Sequence, residues 1–441
     1  MKICRIISLI LILAFVLTAA AFSLTACGEE DGFVPVLRFA IASDVHVADY
    51  GSELEEERLE RLFDMAYAYA KCSDTGYDAL DAVIFAGDFT DLGTLNSMQR
   101  FKGIVDANIR TGTTAVVSLG NHEFYTEPET TEARYESVFC GEVDEHLVIS
   151  GFHFIKLSPN GEYFSEEKLI WLRKELEKAA SDTPELPIFV IQHQHVRNTV
   201  YGSEGWGVDG LYDILADYPQ VVDFSGHSHF PIQDERSLWQ GEFTAVGTGT
   251  LSYVEMGLNG VSTDYIFPDG KNGDYKYMAR SGESDYSVFQ ILECDKNGNM
   301  RIIGCDLISG EKLFERRIGA PASLQGTGVN KTEIGVSIPE FKEGSKLSFA
   351  VDEVGSVLLT VPVACSESYI ESYRAEVYAG AKTVGTYYAL SGEIFNPHPT
   401  HIRIRLDGLE KKGEYTVRVY AVNSSGESST KPLELEIVLN S

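Results

Sequence analysis

The stretch "FAIASDVHVADY", residues 39–50, sets the pattern for the first half of the chain. An apolar, strand-like run stops abruptly at a turn that carries Asp44 and His46. Taken singly, such a turn reads as a capped strand end. The arrangement recurs four times. "VIFAGDFTD" ends in Asp88 and Asp91 behind Gly87, and "VVSLGNHEF" in Asn121, His122 and Glu123 behind Gly120. "IFVIQHQH" ends in His193 and His195, and "VVDFSGHSH" in His227 and His229 behind Gly226. In open α/β sheets, ligands bind outside the carboxyl ends of the strands, where loops from several strands converge. Five ends loaded with Asp, Asn and His therefore predict one shared site. Carboxylate, amide oxygen and imidazole, with no thiolate, suit Mn, Fe, Zn or similar ions. An Asp can bridge two cations, and the glycines allow sharp turns without a Cβ clash.

Between residues 36 and about 230, apolar strands alternate with amphipathic helices, which predicts buried sheets covered by helices. "SELEEERLERLFDMAYAYAK" is a helix with Ser52 as N-cap, Glu55 closing a capping box, and Leu59, Leu62, Phe63, Ala66 and Ala70 as its apolar stripe. "SEEKLIWLRKELEKAA" is another, with Leu169, Leu172 and Leu176 on one face. "LVISGFHFIKL" reads as one longer strand. From 241 to 316 the pattern turns to β and is expected to complete a second sheet of the same domain. Within it "FQILECDKNGNMRIIGC" reads as a hairpin turning at Asn297-Gly298, pairing Cys294 with Arg301 and Cys305 with Gln290. That places the two sulfurs on one face, about 13 Å apart and too far to bridge. Residues 317–335 read as a linker. The strand-rich 336–441 contains "GEYTVRVYAVNSSGESS", which resembles the late strands of a fibronectin type III domain, with Leu409 and Tyr415 placed like its tyrosine corner.

The formal charge of −30 argues against nucleic-acid binding. Lys2 and Arg5, the apolar run from Ile6 to Phe22 and then "LTAC" read as a leader, residues 1–26, cut before a lipidated Cys27. The sequence around Cys27 resembles the lipobox of bacterial lipoproteins, which implies an extracytoplasmic protein anchored to a bacterial membrane through Cys27, with residues 27–35 as tether. Loss of the leader would leave a charge of −32, counted from the sequence. Cys72, Cys140, Cys294, Cys305 and Cys365 then remain, and their irregular spacing gives no disulfide framework. All five are expected to be unreactive and at least semi-buried.

The ordered set D-x-H, G-D-x-x-D, G-N-H-E, H, G-H-x-H resembles the calcineurin-like metallophosphoesterases over about residues 36–235. The resemblance implies an α/β fold of two mixed β-sheets sandwiched between helices, spanning 36–316, ahead of a C-terminal all-β sandwich. It implies two divalent or trivalent ions, Mn, Fe or Zn. One would be held by Asp44, His46, Asp88 and His229; the other by Asp88 as bridge with Asn121, His193 and His227. His193 is preferred to His195 because it comes first after the strand. His122 matches the family's non-ligand His that protonates the leaving oxygen, and Asp91 and Glu123 match positions that orient ligands. The activity implied is hydrolysis of a small phosphomonoester or phosphodiester by a metal-bridging hydroxide. Asp91 stands where purple acid phosphatases carry a Tyr ligand, and Tyr125 follows "GNHEF" where secreted 5′-nucleotidases continue with Asp. The alternative reading is a cell-surface binding protein whose β-sandwich recognises a surface ligand and whose metal site is vestigial. For the sandwich itself, a spacer is the simplest role.

Overall fold

In the computed structural model the described residues are 32–255, 286–319 and 337–440, except 74, 354, 396, 397 and 411, together with the backbone of 265–266 and 272–273. The leader, Cys27 and most of the 317–335 linker lie outside them. Among the described residues no helix is long and apolar enough to cross a membrane.

The period-2 pattern of β1 (Pro35–Ala42) divides its side chains between two cores. Leu37, Phe39 and Ile41 face one, and Ala40 and Ala42 the other. The chain continues through α1 (Glu53–Cys72), β2 (Ala82–Ala86), α2 (Leu95–Asn108), β3 (Thr114–Ser118) and α3 (Thr131–Phe139). Then come β4 (Glu145–Ile149), β5 (Phe152–Lys156), α4 (Glu166–Asp182), β6 (Ile188–Ile191) and β7 (Val221–Ser225). Last are β8 (Leu238–Gln240), β9 (Thr244–Gly247), β10 (Val288–Asp295), β11 (Met300–Asp306) and β12 (Lys312–Ile318). One six-stranded sheet runs β12-β11-β10-β1-β2-β3 and the other β8-β9-β7-β6-β5-β4. The inner strands β1, β2 and β3 are parallel, as are β5, β6, β7 and β9, while the flanks are antiparallel. Phe39 packs edge-on against Phe154, Phe189 and Phe224 between the sheets, with centroids 5.3, 5.1 and 5.8 Å away. The stripe of α1, with Met98, Phe101 and Val105 of α2, covers the outer face of the first sheet. Leu172, Leu176 and Ala179 of α4 cover the second. The expected sandwich of two mixed sheets between helices is therefore the observed fold, and the parallel strands aim their carboxyl ends at one place.

Several local expectations are corrected. Ser52 does precede α1, but its hydroxyl donates to Ala48 O and to the Glu56 carboxylate, both at 3.4 Å, and caps no helix N–H. "LVISGFHFIKL" is a hairpin, because Ser150 and Gly151 both take left-handed conformations (φ 50° and 84°), the two-residue turn that matches strand twist. The 241–316 strands divide: β8 and β9 join the second sheet, while β10–β12 extend the first through β1. In the β10–β11 hairpin Glu293 pairs with Arg301, and Cys294 with Met300, one residue off the expected register. The turn has three residues, with Gly298 left-handed (φ 85°) and Asp295 N bonded to Asn299 O. That shift sends Cys294 and Cys305 into different cores on opposite faces. Cys72, Cys140 and Cys365 are exposed rather than semi-buried.

A feature without a sequence signal is Arg38, wholly buried in mid-β1. Its guanidinium meets Glu293 at 2.6 Å, Ala79 O at 3.0 Å and Ser73 Oγ at 2.7 Å, and Arg301 also reaches Glu293 at 2.6 Å.

The C-terminal unit contains β13 (Ser348–Val351), β14 (Val357–Pro362), β15 (Ile370–Ala379), β16 (Lys382–Leu390), β17 (His401–Leu406), β18 (Lys412–Asn423) and β19 (Leu433–Asn440). The antiparallel sheets β13-β14-β17 and β16-β15-β18-β19 share one core. Tyr415 Oη accepts from Glu410 N at 3.1 Å, just ahead of β18. The unit docks on the segment that follows His229. Glu235 accepts from Tyr369 N (2.8 Å) and Ser424 Oγ (2.5 Å), and Arg236 reaches Glu371 (2.7 Å). Ile232, Val254 and Tyr286 pack with Tyr369, Leu390 and Ile394 beside these polar contacts. A freely hanging spacer would bury none of this.

Candidate metal centre

The turns beyond β1, β2, β3, β6 and β7 meet at one point, and their backbones are bent hard to do so. Asp44, His46, Asp88, His227 and His229 all have positive φ, between 48° and 69°. Left-handed backbone is unfavourable for residues with a Cβ and concentrates at functional sites. The loops are laced together: His46 N donates to Asp88 O (3.1 Å), and His227 N to Asp44 Oδ2 (3.1 Å). Of the three flanking glycines, only Gly87 is left-handed (φ 81°). Gly120 and Gly226 serve differently, because a Cβ there would strike the carboxylates of Asp88 and Asp44.

Ligand-type atoms gather in three overlapping groups, each within 4.8 Å: Asp44, His46 and His229; Asp88, His193 and His227; and His46, Asp88 and His122. His229 Nδ1 donates to Tyr253 O (2.9 Å) and His193 Nδ1 to Ala86 O (2.8 Å), which leaves each Nε2 as a lone pair. Yet His229 Nε2 faces Asp44 Oδ1 at 3.0 Å and His46 Nε2 at 3.3 Å, and His193 Nε2 faces Asp88 Oδ2 at 3.0 Å. Acceptors turned on one another call for a cation between them. Buried Asn121 Oδ1 has no hydrogen-bond partner, which suits an atom that ligates a metal. The donor set thus fits a divalent metal centre.

The carboxylates and imidazoles also set one another's protonation. Burial opposes charge on His193, but Asp88 and Asp44 outweigh it and hold the imidazole up at about 10. Burial would raise the Asp44 carboxyl, but His229 and His193 bring it down to about 2. Burial, reinforced by His193 alongside, pushes His227 down to about 3.

His195 does not join. Its two nitrogens are held by Ser225 Oγ (2.8 Å) and Ser228 Oγ (2.7 Å), and burial pushes it down to about 3. His122 lies at the rim, Nδ1 bonded to Asp91 O (2.8 Å) and Nε2 3.8 Å from Asp88 Oδ2, so spacing alone would also admit it as a ligand. Asp91 Oδ1 stands 3.7 Å from His46 Nδ1 and 4.0 Å from His122 Nδ1. Glu123 is wholly buried and accepts from Asp88 N (3.1 Å), Gly120 N (2.7 Å), Thr90 N (2.8 Å) and Thr90 Oγ1 (2.8 Å), tying the second loop to the third. Burial and the Asp88 charge push its carboxyl up to about 8 against those four donors. Aromatic side chains flank the site. Tyr253 packs 4.2 Å from His229, Trp206 edge-on 5.5 Å from His227, and Tyr125 4.4 Å from His122.

Residues 37–231 match the family model for calcineurin-like phosphoesterases. This domain belongs to that family. A probable glycerophosphodiester phosphodiesterase of Arcobacter nitrofigilis is 32% identical over 165 residues, 34% of this chain and 56% of that protein. The chain thus spans little more than half the length of the curated relative it matches. Among solved structures, a purple acid phosphatase from yellow lupin seeds superposes over 65% of this chain and 54% of its own, at 13% identity and a TM-score of 0.40. Domains d3–d4 of the rat CD45 extracellular region cover 41% of this chain and 85% of their own, at 15% identity and a TM-score of 0.19. Likenesses this distant say nothing of the chemistry of the phosphoesterase domain.

Proposed function

We propose that the chain is a dinuclear-metal phosphoesterase, and that phosphodiesters are its preferred class. The observation that carries the reading is the pair of ligand trios, Asp44–His46–His229 and Asp88–His193–His227, in each of which the ligand atoms lie within 4.8 Å of one another. The first trio would hold one ion and the second, with Asn121 Oδ1, the other, with Asp88 between them. Two such ions supply an activated water and neutralise charge on the phosphoryl oxygens. The residues themselves do the rest. His122, its Nδ1–H spent on Asp91 O, would in its doubly protonated form give the Nε2 proton to the departing alcohol oxygen. Glu123 and Asp91 hold the Asp88 and His46 loops in place. The diester preference rests on the glycerophosphodiester relative.

As part of the same reading, the protein is extracytoplasmic and lipid-anchored through Cys27, and the C-terminal unit is a fibronectin type III-like sandwich. Failure of Cys27→Ser to release the protein from membranes would refute the anchor. For the enzyme, Asp88→Asn and His122→Ala should each lower turnover of bis-p-nitrophenyl phosphate by about 10²–10⁴-fold. Undiminished turnover in both would sink the site.

A further inference from the structure

The turn that carries Asn121 and His122 also carries a side chain to which the proposed chemistry gives no role. Residues His122–Phe124 form one 3-10 turn, with Tyr125 N bonded to His122 O at 3.2 Å. In such a turn residues i and i+3 eclipse, so the Tyr125 ring lies over His122, centroids 4.4 Å apart and planes at 40°. The same geometry brings the Tyr125 hydroxyl to Asn121, whose Nδ2 donates to it at 2.9 Å. The other end of that amide, Oδ1, is buried with no hydrogen-bond partner.

A primary amide has two ends of nearly equal shape and opposite polarity. An Asn that must offer oxygen to a cation therefore needs something to hold its nitrogen away, because a half-turn would present an N–H donor to a positive charge. We infer that Tyr125 is a positioning residue of the centre: its hydroxyl locks the Asn121 amide oxygen-inward for a divalent cation, and its ring sets the tilt of His122. This rests on the two-cation reading above. It also gives Tyr125 a task that an Asp, Glu or Leu at that position could not perform, since each lacks either the acceptor on a rigid arm or the flat face. The ring is 53% exposed, so Tyr125→Phe should remove the hydrogen bond without disturbing a core.

The test is calorimetric titration of metal-free protein with Mn²⁺, which needs no substrate. Tyr125→Phe should weaken one of two binding events by about 10–100-fold and leave the other alone, as loss of a partner behind a ligand does. Tyr125→Leu should show the same metal defect and a further fall in kcat, with KM unchanged, because His122 loses its support. In an Asn121→Asp background both ends of the side chain are oxygen, so Tyr125→Phe should there cost less than about three-fold, a coupling that a general loosening of the turn would not give. Unchanged binding in Tyr125→Phe, or the same loss in the Asn121→Asp background, overturns the lock while leaving the two-cation reading intact. A parent protein that takes up fewer than two ions overturns both.

Discussion

Asp223 lies mid-β7 with no solvent exposure, and its hydrogen-bond partner among the described residues is Gln192 Nε2, 3.3 and 3.2 Å from its two oxygens. Burial holds its carboxyl up at about 7 instead of 3.8, Gln192 offsetting only part of that. The difference corresponds to about 4 kcal/mol of ionisation cost in the folded state. The sign follows from the raised value. Between pH 4 and 7 the folded chain binds the proton that the unfolded chain releases, so stability is fully present below pH 4 and is lost as pH rises through 7. Asp223→Asn removes the ionisation, and a half-turn of the Gln192 amide, whose Nε2 now faces both oxygens, would bring its partnerless Oε1 to the new N–H₂. Urea unfolding of parent and variant from pH 4 to 9 should show two curves that lie closest at the acid end, separate up to about pH 7 and keep that gap above it. At pH 8 the variant should be more stable by about 2–4 kcal/mol, since relaxation and water entry trim the full figure. Parallel curves, or a variant less stable at pH 8, would refute the reasoning.

Three further outcomes are expected. Cation binding at pH 7 should release about one to two protons, because His193 and His229 are both held above their ordinary value by Asp88 and Asp44 against burial; calorimetry in buffers of different ionisation enthalpy measures it. Glu293→Gln should destabilise by about 3–5 kcal/mol in urea unfolding, since it leaves buried Arg38 without its counter-charge. Of the five cysteines among the described residues, Cys72, Cys140 and Cys365 should react promptly with a thiol reagent in the native state. Cys294 and Cys305, whose thiols burial pushes far up, should react only after denaturation.

The alternation of strands and helices was legible because burial imposes a period of 2 or 3.6 on β1, α1 and α4 whatever their partners. The convergence of the site was legible for a related reason: Asp44, Asp88, Asn121, His193 and His227 each follow a strand directly, and parallel strands share an end. What escaped depends on partners distant in sequence. The choice of β1 as neighbour for β10 cannot be read from either strand, and a shift of one residue in β10–β11 was enough to send Cys294 and Cys305 to opposite faces. The hairpin inside "LVISGFHFIKL" was signalled by its Ser-Gly pair and masked because the flanking runs are both apolar. Arg38 gave no warning, since a charged residue inside a strand normally argues for solvent and its partner lies 255 residues away. The docking of the sandwich on Glu235 and Arg236 was equally invisible, as two charges after a turn look like an ordinary surface.

The five left-handed residues have a consequence for descent. Each such conformation costs about 1–2 kcal/mol for a residue with a side chain and almost nothing for glycine. A lineage that had ceased to use its cations would gain folding stability at every one of these positions by drifting to glycine. Asp44, His46, Asp88, His227 and His229 thus stand where random change pulls steadily the other way. Each of these side chains is held against the preference of its own backbone, so the five positions serve the site at the scaffold's expense.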